Sequence, residues 1–309
     1  MLEAAMLLAA LAWDLALGEP PAVAHPVVWI GRLIGLLERA PVVGARAQLV
    51  YGGAIVVFGL LVALGPVWLL LAYLHSAAPV LYFAVGTFLL KSTFSPRGLF
   101  RAARAVRRRL TAGDLPGARW ELRALVSRDT SRLEGPLLAA AAVESVAENS
   151  SDSLVAPLLY FTLFGVPGAL AYRVLNTFDS MIGYHGRYEY LGKAAARLDD
   201  LTNLLPARLT AMLLIIASAL GGAGAAPAWR GALRYAGATE SPNAGWPMSA
   251  MAGALGVTLE KVGHYRLGDG PRLPDATSIE RAISLATTAL VVAAVGSFIL
   301  LVVRSVYFA

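Results

Sequence analysis

Cysteine is absent from the 309 residues, which excludes disulfides, zinc–thiolate centres and thiol nucleophiles. Charge is scarce. Asp, Glu, Lys and Arg make up 15% of the chain against 57% hydrophobic residues, where a soluble domain is nearer a quarter charged. With a mean hydropathy of +0.63 the chain reads as a membrane protein. The four histidines, His25, His75, His185 and His264, lack the close spacing of a helical zinc site. No glycine-rich stretch ends in Gly-Lys-Ser/Thr, so any nucleotide must be held without a P-loop. No internal repeat or low-complexity tract is present.

The charge that exists is unevenly spread. Residues 91–132 hold eleven Lys and Arg against three acids, and the remainder is slightly acidic. A basic block beside a membrane span points to the cytoplasmic side and to anionic lipid. No aromatic residue is interleaved with the arginines of 101–109, so nucleic acid is not an expected partner.

Residues 1–17 begin with an acid rather than a positive charge and are expected to form an uncleaved membrane-associated helix. Asp14 near its end must face protein or water, and Asp14, Glu19, His25 and Arg32 are expected to cluster. Residues 51–74 carry no charge over a length sufficient to cross the hydrocarbon, and 81–90 should return as the second arm of a helical hairpin. Two helices over 99–110 and 116–126 follow. Residues 154–175 have the composition of a span, but Gly165-Val-Pro167-Gly168 divides it into halves of roughly 15 Å each. A re-entrant hairpin bent there is expected, because a single crossing would separate the acids before it from those after it. Residues 209–226 either span or turn back, 263–272 read as a mobile loop, and 284–303 as a final span.

The stretch 144–208 carries most of the chemistry. Glu144, Glu148 and Asp152 recur every four residues, so a helix would stack three acids on one face, which costs stability unless a cation is held. Because 137–143 and 154–164 are almost wholly apolar, a divalent-metal or metal–nucleotide site is favoured over a solvated acidic face. Arg128 and Arg132 are candidates for binding a phosphate or carboxylate. The loop Ser241-Pro-Asn-Ala-Gly-Trp-Pro247 can present backbone amides and Asn243 to an anion, although spacing alone favours a structural turn before the next helix.

Several motifs together resemble one family, the adenosylcobinamide-phosphate synthases of cobalamin biosynthesis (the CobD/CbiB type). They are Asp14 with Gly18-Glu-Pro-Pro21 and His25-Pro-Val27; Glu144-Ser-Val-Ala-Glu148-Asn149-Ser-Ser-Asp152; Ala156-Pro157; Asn176-Thr-Phe-Asp179-Ser-Met-Ile-Gly183-Tyr184; Ala196-Arg197-Leu-Asp199-Asp200; Pro206-Ala-Arg208; and the Ser241–Pro247 loop. They follow the family's order over nearly the whole chain. Glu19 stands where the family more often has aspartate, and Ser153 where it often has glycine.

The resemblance implies an all-α polytopic membrane protein with about four to six membrane helices, the re-entrant hairpin among them, and cytoplasmic helical loops. It implies one catalytic domain over 1–309, with a basic insert at 91–135 and a core motif region at 144–208, in the cell (inner or plasma) membrane with its active site on the cytoplasmic side. It further implies an ATP-dependent ligase. Such an enzyme joins the free carboxylate of adenosylcobyric acid to the amine of aminopropanol phosphate, or of aminopropanol, through an acyl phosphate. Mg2+ and ATP are then required. On this reading Glu144, Glu148, Asp152, Asp179 and Asp199 hold magnesium, and Asp199 or Asp200 takes the proton from the attacking ammonium. Arg197 and Arg208 bind phosphate, while Asn149, Asn176, Asn203, Ser241 and Asn243 contact phosphate or ribose. Trp29 or Trp246 offers a face to the corrin. Homo-oligomerisation or contact with other late cobalamin-pathway enzymes is left open. The competing readings are a small-molecule transporter, for which repeated halves are missing, and a non-catalytic membrane sensor of the AmpE type.

Overall fold

The computed structural model describes residues 1–307, and the chain is almost entirely helical. In order the elements are α1 (Leu2–Ala16), α2 (Pro26–Leu37), α3 (Ala45–Ala77), α4 (Pro79–Lys91), α5 (Pro96–Thr111), α6 (Leu115–Leu122) and α7 (Gly135–Ser150). A π-helical turn, Ser151–Val155, leads into α8 (Ala156–Ile182), followed by α9 (Lys193–Leu220), α10 (Ala225–Tyr235) and α11 (Gly245–Leu255). A two-stranded antiparallel ribbon, β1 (Leu259–Lys261) and β2 (Tyr265–Leu267), precedes α12 (Ala276–Tyr307). This ribbon lies where a mobile loop was expected. Strands of three residues are too short to leave a periodic signal.

Four helical segments, Ala45–Ala77, Gly135–Ile182, Lys193–Leu220 and Ala276–Tyr307, are long and apolar enough to cross a membrane. The apolar windows of the first and last are only 22% buried within the protein. Val57, Phe58, Leu61 and Val62 on α3 and Val291, Val295 and Ile299 on α12 therefore face outward, which lipid tolerates and water does not. The protein is an all-α polytopic membrane protein.

Two compact units make up the chain. One comprises Met1–Ser95, Ala156–Thr202 and the segment from Gly296, the other Pro96–Val155 and Asn203–Val295. The core of the first gathers Ile30 and Ile34 of α2, Ile55 and Val56 of α3, and Val174, Phe178 and Ile182 of α8. The core of the second is built on the alanine-rich face of α7 with α5, α11 and the ribbon around it.

Helix α8 is bent as the sequence leads one to expect. Gly165 has φ 68 and ψ −161, a conformation that only glycine adopts freely. The rings of Tyr160 and Tyr172 stack with centroids 5.2 Å apart, although twelve residues of straight helix would separate them by about 18 Å. The segment therefore turns back on itself as two antiparallel arms. The bend leaves helix-end carbonyls exposed, and Arg304 of α12 donates to the Thr162 oxygen at 2.9 Å while pairing with Glu3 of α1. A Cβ on Gly168 would lie 2.6 Å from the Tyr160 carbonyl oxygen, so the arms approach only because this position is glycine. Gly168→Val is expected to lower the midpoint of thermal unfolding in detergent by an amount equivalent to roughly 1–3 kcal/mol. Gly53→Ala, where an added Cβ meets open space, should leave the midpoint unchanged or raise it. A Gly168→Val protein as stable as the parent would contradict the close approach of the arms.

Candidate active site

Helix α7 enters the second unit fully buried and emerges with its acids. Glu144 is 5% exposed, and its Oε2 accepts from Arg128 Nη2 at 2.9 Å. Ser145 Oγ donates to the Leu125 carbonyl, pinning the segment that carries Arg128. Arg128, expected to bind a phosphate or carboxylate, is thus taken up by a carboxylate of the chain itself, and Glu144 is in the first instance half of an ion pair. Its other oxygen, Oε1, is buried without a hydrogen bond. An acceptor in that position is costly unless a proton, a donor or a cation reaches it.

One turn on, Glu148 is half-buried, and Asp152 begins the π turn. Such turns are poorer in hydrogen-bond geometry than α-helix and recur at functional sites. Asn149 is already engaged within the helix. Its amide donates to Ser145 at 3.0 Å and its carbonyl accepts from Ser153. Ser153 therefore serves as a support for the Asn149 carboxamide. Tyr265 of β2 completes this wall. Burial, then the charges of Glu144 and Glu148, raise its hydroxyl pKa well above the ordinary tyrosine value, so it stays protonated, and it donates to Met248 Sδ at 3.9 Å.

In the same unit, Arg208 of α9 lies beside the Ser241–Pro247 loop. Its Nη1 donates to the Leu204 carbonyl at 2.8 Å and to Asn243 Oδ1 at 2.9 Å, and its guanidinium sits 5.1 Å from the Trp246 ring centre. The loop is wound around Ser241 Oγ, which accepts from the amides of Asn243 (3.2 Å) and Ala244 (3.4 Å). No carboxylate pairs with Arg208 among the described residues. The loop is thus the structural turn that spacing favours, and the Asn243 and Ala244 amides expected to meet an anion are taken up by Ser241 Oγ.

The first unit carries its own polar sets. On the returning arm of α8, Arg173 Nη1 donates to Asn176 Oδ1 at 3.2 Å, and Asn176 Nδ2 donates to Asp199 Oδ1 at 3.4 Å. Tyr160 donates to the Thr202 carbonyl at 2.8 Å, tying the other arm to the start of α9. Asp179 and Asp200 are half-buried and Arg197 is exposed.

Near the N-terminus Lys91 is completely buried, 3.1 Å from Asp14 Oδ1 and 2.8 Å from Glu19 Oε1. His25 caps α2 by accepting the Val27 amide on Nδ1 at 3.2 Å, which leaves Nε2 to meet Glu19 at 2.7 Å. The expected cluster of Asp14, Glu19 and His25 forms, with Lys91 as its cation instead of Arg32. His25 is at once the cap of α2 and a member of the cluster. Trp29, also proposed as a face for the corrin, is about half exposed, its indole N–H bonded to the Val23 carbonyl at 2.8 Å.

No group of three or more His, Asp or Glu among the described residues is placed to hold a metal ion unaided. The five acids named from the sequence are thus not a ready-made cage. That fits magnesium, which is normally bound through one or two carboxylates and completed by water and phosphate oxygens. The unpartnered Glu144 oxygen and the Glu148 carboxylate are suited to such a partial shell.

Sequence reasoning missed Lys91, Arg173 and Tyr265. Arg173 did leave a signal, as a lone cation in an otherwise apolar stretch, whereas Lys91 stands at the head of the basic block. Tyr265 left none.

Comparison with known proteins places these features in a family. The family profile described as "CobD/Cbib protein" matches residues 7–295. The chain is 52% identical to the "Cobalamin biosynthesis protein CobD" of Dehalococcoides mccartyi over 274 residues, covering 88% of this chain and 89% of the relative. It is 41% identical to a "Probable cobalamin biosynthesis protein CobD" of Thermococcus kodakarensis, covering 93% of each. With the protein of that name from Klebsiella pneumoniae it shares 40% identity over 89% of this chain and 90% of the other. No solved structure matches it significantly. A profile match over nearly the whole length, supported by relatives of such identity and coverage, means that the chain belongs to the CobD/CbiB family of cobalamin biosynthesis proteins.

Proposed function

We propose that this protein is an ATP-dependent amide ligase. It would join the free carboxylate of adenosylcobyric acid to the amine of aminopropanol phosphate, or of aminopropanol, at the cytoplasmic face of the cell membrane. One observation carries the reading. A single unit holds a buried carboxylate oxygen without a hydrogen bond, on Glu144, and an arginine with no carboxylate partner among the described residues, Arg208. Phosphoryl transfer needs both, acids for metal and cations for phosphate.

A carboxylate is a poor electrophile and must first become an acyl phosphate. Its oxygen attacks the terminal phosphorus of the nucleotide, and ADP leaves. The amine nitrogen then attacks the acyl carbon, and inorganic phosphate departs with one of the original carboxylate oxygens. Bound magnesium would neutralise the phosphate charge during the first step. Glu144, Glu148 and Asp152 would hold it, and Asp179 and Asp199 are the further acids that the family resemblance names for the metal. Arg208, fixed by Asn243 and set 5.1 Å from the Trp246 ring centre, would bind a phosphate as a planar fork, and Arg197 is a second candidate. Asp199 or Asp200 would accept the ammonium proton. Tyr265, kept protonated by Glu144 and Glu148, would donate to an oxyanion brought to that wall. Asn203 and Ser241 would add contacts to phosphate or ribose.

The orientation is supported by the basic helices. Arg104 and Arg107 pair with Glu280, and Arg109 with Asp114 and Glu121. Arg101 and Arg108, exposed on α5, would face lipid head groups on the side where ATP is found.

The test is amide formation by purified protein in lipid. ADP release that depends on both the corrinoid acid and the amine is the expected result. ATP turnover indifferent to either substrate, or none at all, would exclude this ligase and return the sensor reading.

A further inference from the structure

We propose that Arg173 is a phosphate-binding residue, an assignment not implied by the motifs that led to the ligase reading. In the first unit every other cation that is not fully exposed has a carboxylate partner: Lys91 has Asp14 and Glu19, His25 has Glu19, and Arg304 has Glu3. Arg173 is the exception. It is half-buried on the returning arm of α8 between the buried Tyr172 and Val174, and no carboxylate lies within ion-pairing distance of it among the described residues. Its Nε is buried and makes no hydrogen bond. A charged group kept in an apolar segment without a counter-ion is costly, and such groups mark ligand sites.

The guanidinium is also aimed. Nη1 is anchored by Asn176, whose carboxamide is in turn held by Asp199, and this leaves the Nε edge unused. That edge offers paired N–H groups with the spacing of two phosphate oxygens, and bidentate binding of this kind is what separates arginine from lysine. Asn176 is then a positioning residue for Arg173. Asp199 acts one step further back, fixing the amide so that the carbonyl of Asn176 faces the arginine.

The inference rests on the proposed ligase only for the identity of the two candidate phosphates, that of the nucleotide and that of the amine substrate. Both can be tested by binding alone. Equilibrium binding of MgATP and, separately, of aminopropanol phosphate would be measured on wild-type, R173M and R173K protein in lipid, alongside KM values for both amine substrates. One ligand should bind R173M about 10- to 100-fold more weakly, the loss expected for charge-assisted hydrogen bonds. R173K should recover part of that affinity, and N176A should weaken the same ligand to a lesser degree.

If the site takes the amine's phosphate, KM rises for aminopropanol phosphate and not for aminopropanol. If it takes the nucleotide's phosphate, KM for ATP rises with either acceptor. Unchanged affinity for both ligands in R173M, or equal losses in R173M and in an exposed control such as Arg187→Met, would overturn the assignment. A wild-type protein that binds phosphate through Arg173 but forms no amide would remove the ligase reading and leave this site standing.

Discussion

Glu148→Gln is expected to lower amide formation by ~10²-fold or more while the protein remains folded and inserted, the scale of losing one charged group that acts on a transferring phosphoryl. The substitution keeps size and shape and removes only the charge. Glu148 follows Glu144 by one helical turn, and its charge acts on the part-buried Tyr265. Glu144→Gln gives the contrast. It removes the carboxylate that Arg128 needs and leaves a part-buried guanidinium unpaired, so stability should fall together with activity. Unfolding midpoints measured beside turnover separate the two variants. Near-normal turnover of the Glu148→Gln protein would remove this residue from the site.

The largest effect on stability is expected at Lys91. Its ammonium and the Asp14 carboxylate are both completely buried, and Glu19 closes the network from a side chain that is 37% exposed. Lys91→Met preserves volume but strands the Asp14 charge, and removing one partner of a buried pair costs about 3–5 kcal/mol. Adding Asp14→Asn to Lys91→Met should restore a large part of that loss, because the stranded charge disappears as well. Equal stability of the Lys91→Met and parent proteins would contradict the network.

Glu19 adds a pH signature to the same cluster. Burial alone would raise its carboxyl. Hydrogen bonds from His25, Lys91 and Ser95, together with the Lys91 charge, outweigh burial and lower it from 4.5 to about 2. A carboxyl depressed on folding stabilises the protein above its unfolded value, and that contribution is lost as pH falls through the folded value. The difference in stability between parent and Glu19→Gln should therefore be full above about pH 4.5 and shrink towards zero as the pH approaches 2.

What the sequence made legible follows from how local each cause is. The bend at Gly165 could be foreseen because glycine and proline interrupt an apolar run whose halves are each too short to cross. That Arg128 would meet a phosphate or carboxylate could be foreseen because it stands just ahead of the acids and outside the basic helices, but not that Glu144 would be its partner. The return of the Ser241–Pro247 loop to Arg208 could not be read, since the residues between them are compatible with spanning or turning back, and only the bond from Arg208 to Asn243 decides it. Nor could the burial of Lys91. A lysine ending an apolar helix ordinarily reaches water, and here acids 77 and 72 residues away draw it inward. The π turn at Ser151–Val155 has no local mark in its residues, and the ribbon that carries Tyr265 is too short to show a period. Spacing brought the acids into view, while their partners came from distant parts of the chain.

The central claim is that the acid is activated as an acyl phosphate before the amine attacks. The most direct measurement uses adenosylcobyric acid labelled with 18O in its free carboxylate, with MgATP and aminopropanol phosphate, and follows the label by mass spectrometry. One labelled oxygen is predicted in inorganic phosphate for every amide formed. Amide formed with unlabelled phosphate would contradict the mechanism.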